Sequence, residues 1–320
     1  MTKTTGLIFV ATLLVVASGA ADRAGLSVCS RALAGGPGGK SRYRSNERED
    51  EKANAPRRGL LDFGGLLKPK KDERDDSDSS LADLPMNRLT IQAQRRLKSI
   101  TDRPTLVRRL PTQAINCDPE LFLFLARKPD TIIGIWDLMG ITKVQTKRTG
   151  PYQFEAVDGS GTSCLVDLIY GDQNLHIFVA EGKYDGKFVQ KPVVGKGVFV
   201  LKSSYATAAD GSVTVVGSLD CYVKFESLGA DLVARSLGGL IGKSADHNFV
   251  ETAKFIGQIS AACQTNPEGL RELVDQMEQV DPQTKAEFKT VIGNVANRSR
   301  APVRSPARIV QRGDQATSNE

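Results

Sequence analysis

From Val213 to Phe225 apolar residues fall at every second position, and a long helical pattern begins almost at once after them. Val213, Val215, Gly217, Leu219, Cys221, Val223 and Phe225 make one face. Thr214, Ser218, Asp220 and Lys224 make the other, and Val216 and Tyr222 break its polarity. Side chains alternate across a strand, so the pattern predicts a strand with one buried face and one largely wet face. Gly217 is the natural place for so long a strand to bend. From about Leu228, Leu232, Val233, Leu237, Leu240 and Ile241 supply one apolar stripe, followed by Phe249, Ala253, Ile256, Ser260 and Cys263. Glycine costs a helix about 1 kcal/mol against alanine, so Gly238, Gly239 and Gly242 predict a weakened stretch. Ser244 is placed to cap a second segment.

Turn-separated strands precede this pair. Ile141 to Thr146, Tyr152 to Val157, Cys164 to Tyr170, Leu175 to Ala180 and Val198 to Ser203 are bounded by Gly150-Pro151, Asp158-Gly159-Ser160-Gly161, Gly171-Asp172-Gln173-Asn174 and a Gly/Pro-containing loop. Asp210-Gly211 marks a hairpin before the long strand. Two short helices come before the strands. Asp118-Pro119-Glu120 is a helix start, because Asp caps, Pro fits the first turn and Glu favours the positive end. Pro129 to Met139 is the second helix, stopped by Gly140. Asn266-Pro267 and Asp281-Pro282 start two more helices, to Val280 and Asn297. The expected class is α+β: a curved antiparallel sheet of about six strands packed on a long C-terminal helix.

The ends read differently. Lys3, the apolar run Gly6 to Ala17 and the small residues Ser18 to Ala21 make residues 1–21 a secretory signal. Val28 stands where a lipoprotein box wants a small residue, so Cys29 is not expected to be lipidated. Residues 22–115 carry Gly35-Gly36-Pro37-Gly38-Gly39, a charge run at 70–76 and few aromatics. Such a stretch buries too little apolar surface to offset its chain entropy. Two islands interrupt it: the apolar patch Leu60 to Leu67, and a possible helix over 87–100. Residues 298–320 read as a disordered basic tail, with Arg298, Arg300, Arg304, Arg308 and Arg312. The single folded domain is therefore placed at 116–297. Export implies a periplasmic or extracellular location in which disulfides persist. A bridge between Cys164 and Cys221 is one arrangement, and small buried thiols are the other. The formal charge of +6 is modest. Its basic tail suits an anionic envelope or membrane surface, and no nucleic acid is expected.

No catalytic constellation stands out. Gly238-Gly239-Leu240-Ile241-Gly242-Lys243-Ser244 resembles a phosphate loop, but the motif needs glycine where Leu237 stands. His247 and Glu251, with Asp246 beside them, lie one turn apart on a helix, a spacing that suits a metal or an acid–base pair. Both fall on the polar stripe of that helix, and no third ligand is evident. His176 lies on a strand and faces away from Leu175 and Ile177. No metal and no cofactor is expected.

The order of elements between about Cys117 and Cys263 resembles the helix-grip superfamily, the START and polyketide-cyclase-like proteins. Three stretches, Asp118 to Arg127, Ile135 to Thr142 and Gly242 to Phe249, resemble uncharacterised exported proteins of planctomycete bacteria, which bring no function with them. The helix-grip likeness implies a cavity between sheet and helix that holds lipids or other apolar molecules. Val213, Val215, Leu219, Val223, Phe225, Leu237, Ile241, Phe249 and Ile256 are the expected lining, with Asp246, His247 and Glu251 as a possible polar site. The expected function is a non-enzymatic exported binding protein for a hydrophobic small molecule or lipid. The alternatives are a structural or envelope-interaction protein with a solid core, and a cyclase- or hydrolase-like enzyme.

Overall fold

The computed structural model describes residues 81–186, 191–226 and 228–300; for 228–243 only the helical backbone is described. The expected signal segment, the patch at Leu60 to Leu67, the rest of 22–80 and the tail beyond Arg300 lie outside the described residues. The helices are α1 (Ile91–Thr101), α2 (Pro119–Arg127), α3 (Asp130–Leu138), α4 (Leu228–Thr265), α5 (Pro267–Gln276) and α6 (Pro282–Arg300). The strands are β1 (Leu106–Arg109), β2 (Gln113–Asn116), β3 (Gln145–Gly150), β4 (Gln153–Val157), β5 (Thr162–Gly171), β6 (Leu175–Tyr184), β7 (Val193–Thr207) and β8 (Val213–Phe225).

All eight strands form one curved antiparallel sheet. Strands β3 to β8 follow one another as neighbours, and β1 and β2 pair side by side along the free edge of β8. The expected six strands are present, with β3 beginning four residues later than read. The two extra strands come from the stretch expected to lack order, so the folded unit begins by residue 81. Both are four residues long, β1 is half arginine and β2 has one buried residue, Ile115, which hides them in the sequence. The two β1 arginines are held by carboxylates: Arg109 Nε donates to Asp220 at 2.7 Å, and both ends of the Arg108 guanidinium reach Asp246 on α4.

The turn and cap chemistry works locally as read. The Asp118 carboxylate accepts from the Glu120 and Leu121 amides at 2.9 and 3.3 Å. Asn266 caps α5 through the Gly269 amide, and Asp281 caps α6 through the Thr284 amide. Gly140, at φ 71°, closes α3, and Gly211, at φ 83°, turns the β7–β8 hairpin; both occupy a conformation that costs other residues a Cβ clash. Two readings need correction. Helix α4 is continuous over 38 residues, about 57 Å, so neither the glycines nor Ser244 interrupts it. Arg298 belongs to α6 rather than to a loose tail, because it donates two hydrogen bonds to Asp118, at 2.9 and 2.8 Å, and pairs with Glu120.

Three apolar clusters hold the unit together. On the outer face of the sheet, Ala93, Leu97 and Ile100 of α1 cover Ile177, Val179, Val198, Val200 and Tyr222. This face was expected to be largely wet. Val216 and Tyr222, the residues that broke its polarity in sequence, belong to it, and Tyr222 is buried beneath α1. The inner face carries Phe154, Val166, Phe199, Leu219, Cys221 and Val223 against Phe249 of α4. The third cluster lies among α2 to α6 and includes Trp136, whose ring stands 5.6 Å from that of Phe255.

Candidate functional site

The inner face of the sheet and α4 do not close on each other completely. Between them lies a cavity of about 100 Å³. Its floor is the sheet: Val166, Phe178, Phe199, Leu201, Gly217 and Leu219, all on the inner side of their strands. Its roof is one stripe of α4, Phe249, Thr252, Ala253 and Ile256, at the i, i+3, i+4, i+7 spacing of a helix face. One end is closed by α2, the link to α3 and the first turn of α3, through Phe122, Leu125, Ala126, Pro129 and Ile132, with Ile115 of β2. Thr252 supplies the single polar side chain in this lining, and its hydroxyl donates to the Asn248 carbonyl at 2.8 Å. The void therefore presents carbon to any occupant, and nothing in it holds water by two or more hydrogen bonds.

The expected lining is found in part. Leu219, Phe249 and Ile256 face the cavity; Val213, Val215, Val223 and Phe225 do not. The alternation was read correctly, but a thirteen-residue strand is about 43 Å long and only its middle spans the void. Val215 packs into the helical cluster, and Val223 and Phe225 into the inner-face core beyond the cavity. Leu237 and Ile241 have side chains outside the described residues. The contribution of α2 was missed, although the run Leu121 to Leu125, apolar on nearly every side, is its signal.

Asp246, His247 and Glu251 do not form a site. Asp246 is engaged by Arg108 of β1, Glu251 pairs with Lys254 at 2.7 Å, and His247 is exposed. Cys164 and Cys221 cannot bridge, since β6 and β7 lie between their strands, a separation of about 14 Å along the sheet. Burial pushes the thiols of Cys117, Cys164, Cys221 and Cys263 up to about 12, which leaves them without thiolate character.

A polar group sits at the α2 end. His176 is fully buried on the inner side of β6, opposite Leu201 in register and two residues before Phe178. Arg127 Nε, at the end of α2, donates to His176 Nε2 at 3.4 Å, and its Nη2 donates to the Asp172 carbonyl at 3.3 Å. Burial first, and the Arg127 charge second, bring the His176 imidazole down to about 4. The ring is thus neutral, and because Nε2 accepts, the proton is on Nδ1. That Nδ1 is buried and has no hydrogen-bond partner. The neighbouring Tyr205 hydroxyl donates to the Gln173 carbonyl at 2.8 Å, and its ring meets Phe122 edge-on at 6.3 Å.

The sequence matches no family model, and no curated protein matches it. Similar solved structures include a conserved protein from Geobacillus kaustophilus (10% identity, TM-score 0.32, covering 46% of this chain and 95% of that one). Ara h 8.0201 is similar at 16% identity and TM-score 0.26, over 44% of this chain and 97% of that one. A hypothetical protein from Helicobacter pylori is similar at 9% identity and TM-score 0.32, over 52% of this chain and 93% of that one.

Proposed function

We propose that this chain is an exported, non-enzymatic binding protein for a lipid-like or other hydrophobic small molecule. One observation supports the reading above the rest: the space between the inner sheet face and α4 is lined by carbon almost throughout. Burial of apolar area contributes about 25 cal/mol per Å², so a ligand that hides about 200 Å² gains roughly 5 kcal/mol before the cost of association. Lys3 and the apolar run Gly6 to Ala17 support export, and the arginines beyond Arg300 suit an anionic envelope surface. Mass spectrometry of an organic extract from the purified protein tests the proposal. A stoichiometric apolar species is expected. A clean extract, together with no saturable uptake of an added neutral apolar molecule, would overturn it.

A further inference from the structure

We infer that the cavity takes one neutral aromatic ring, either a small arene entire or the buried end of a larger molecule, rather than an extended acyl chain. The inference rests on the binding-protein reading and adds to it the chemical class of the ligand.

Size sets the first limit. A dry cavity of about 150 Å³ lined by aliphatic and aromatic side chains holds one benzene molecule. The space here, about 100 Å³, has room for a single compact ring once its walls give slightly, and for no long chain. Its floor is open over Gly217, where an added Cβ would meet only the Lys202 carbonyl oxygen, at 4.0 Å. The pairing of Gly217 with Ser203 and Gln113 runs on without a register shift, so no bulge accounts for the glycine. A glycine inside a strand also marks a place where a ligand comes close to the backbone, and this one lies on the floor of the void.

Chemistry sets the second limit. Four of the lining residues are phenylalanines: Phe178 and Phe199 on the sheet, Phe249 on α4 and Phe122 on α2. Rings thus meet the space from the floor, the roof and one end. An aromatic occupant gains edge-to-face and offset contacts with them beyond its buried area, which a saturated ring of the same volume does not. Thr252 spends its hydroxyl proton on the Asn248 carbonyl, at 2.8 Å, and among the described residues no charged side chain lines the void. A carboxylate placed inside would lose its water and find neither a side-chain donor nor a counter-charge.

The test titrates the full chain at neutral pH with toluene, methylcyclohexane, methyl decanoate and benzoate, and follows the methyl resonances of Leu125, Leu219 and Ile256 by NMR. Toluene should bind saturably and shift these signals, with an affinity about fivefold above that of methylcyclohexane, the scale of one aromatic contact. Methyl decanoate should bind more weakly than toluene, because its surplus carbons find no room. Benzoate should bind about a hundredfold more weakly, or not at all. Gly217→Val fills the space above the floor and should weaken toluene about tenfold or more, and Gly217→Ala should weaken it to a smaller degree. Methylcyclohexane as tight as toluene, methyl decanoate tighter than toluene, or benzoate within about tenfold of it overturns the inference alone. So does toluene binding that neither substitution at Gly217 weakens. Absence of saturable binding by all of these molecules overturns the inference together with the binding-protein reading.

Discussion

Gly217→Val separates an empty cavity from a filled one by the sign of its effect. Gly217 lies in the middle of β8, buried, on the cavity floor, paired with Ser203 on one side and Gln113 on the other. An added Cβ meets only the Lys202 carbonyl oxygen, at 4.0 Å, and no side chain. Three new carbons entering apolar void gain about 0.8 kcal/mol each. Replacing glycine in a strand adds roughly another 0.5–1 kcal/mol, from chain entropy and strand preference. Part of the sum is lost to imperfect fit, and a net gain of about 2 kcal/mol is expected. In a close-packed core the same three carbons would instead cost roughly 1–3 kcal/mol. Urea titration followed by circular dichroism reads the difference as a shift of midpoint at constant slope. The filled variant should also take up less of a neutral apolar probe. A loss of about 1 kcal/mol or more would rule out an empty cavity here, because the space would then be occupied already.

Gly134→Ala should destabilise by roughly 1–3 kcal/mol, since its Cβ would stand 2.5 Å from Val280 Cγ2 where α3 meets the segment before α6; an unchanged urea midpoint would contradict the packing. Arg148→Met leaves Asp130 buried without its cation, and about 3–5 kcal/mol should be lost, read by the same titration; a loss below about 1 kcal/mol would show the pair to be dispensable. Acid should weaken the fold through His176. Its folded value, about 4, lies below the ordinary 6.5, so the unfolded chain takes up the proton first as pH falls. This stability is whole above about pH 6.5 and declines toward pH 4, by at most about 3 kcal/mol. His176→Gln should flatten the stability profile in that window, and an unaltered profile would contradict the assignment.

Much of this architecture was legible from local chemistry. Helix starts at Asp118, Asn266 and Asp281 rest on a cap and a proline next to each other, and such signals need no tertiary partner. The face of β8 was legible because period two admits one assignment. The strands Leu106–Arg109 and Gln113–Asn116 were not. The first, with two arginines in four residues, looks like any polar loop until Asp220 and Asp246 are brought opposite it, and the second offers only one buried residue, Ile115, to mark it as a strand. The continuity of α4 was misread for a related reason: glycine penalties are local, and a helix whose described part packs against β2, α2 and α6 outweighs them. The cavity lining was legible only on α4 and β8. Periodicity tells which residues point inward, and it is silent on whether facing layers touch.

A ligand carrier of this kind requires that the volume bounded by Phe178, Leu219, Ala253 and Ile256 be empty and apolar. Xenon enters dry apolar cavities and scatters strongly, so diffraction from a xenon-pressurised crystal probes that volume itself. A xenon peak between the inner sheet face and α4 is expected. Unbroken side-chain density across that space, with no xenon in it, would contradict an open cavity and the binding role built on it.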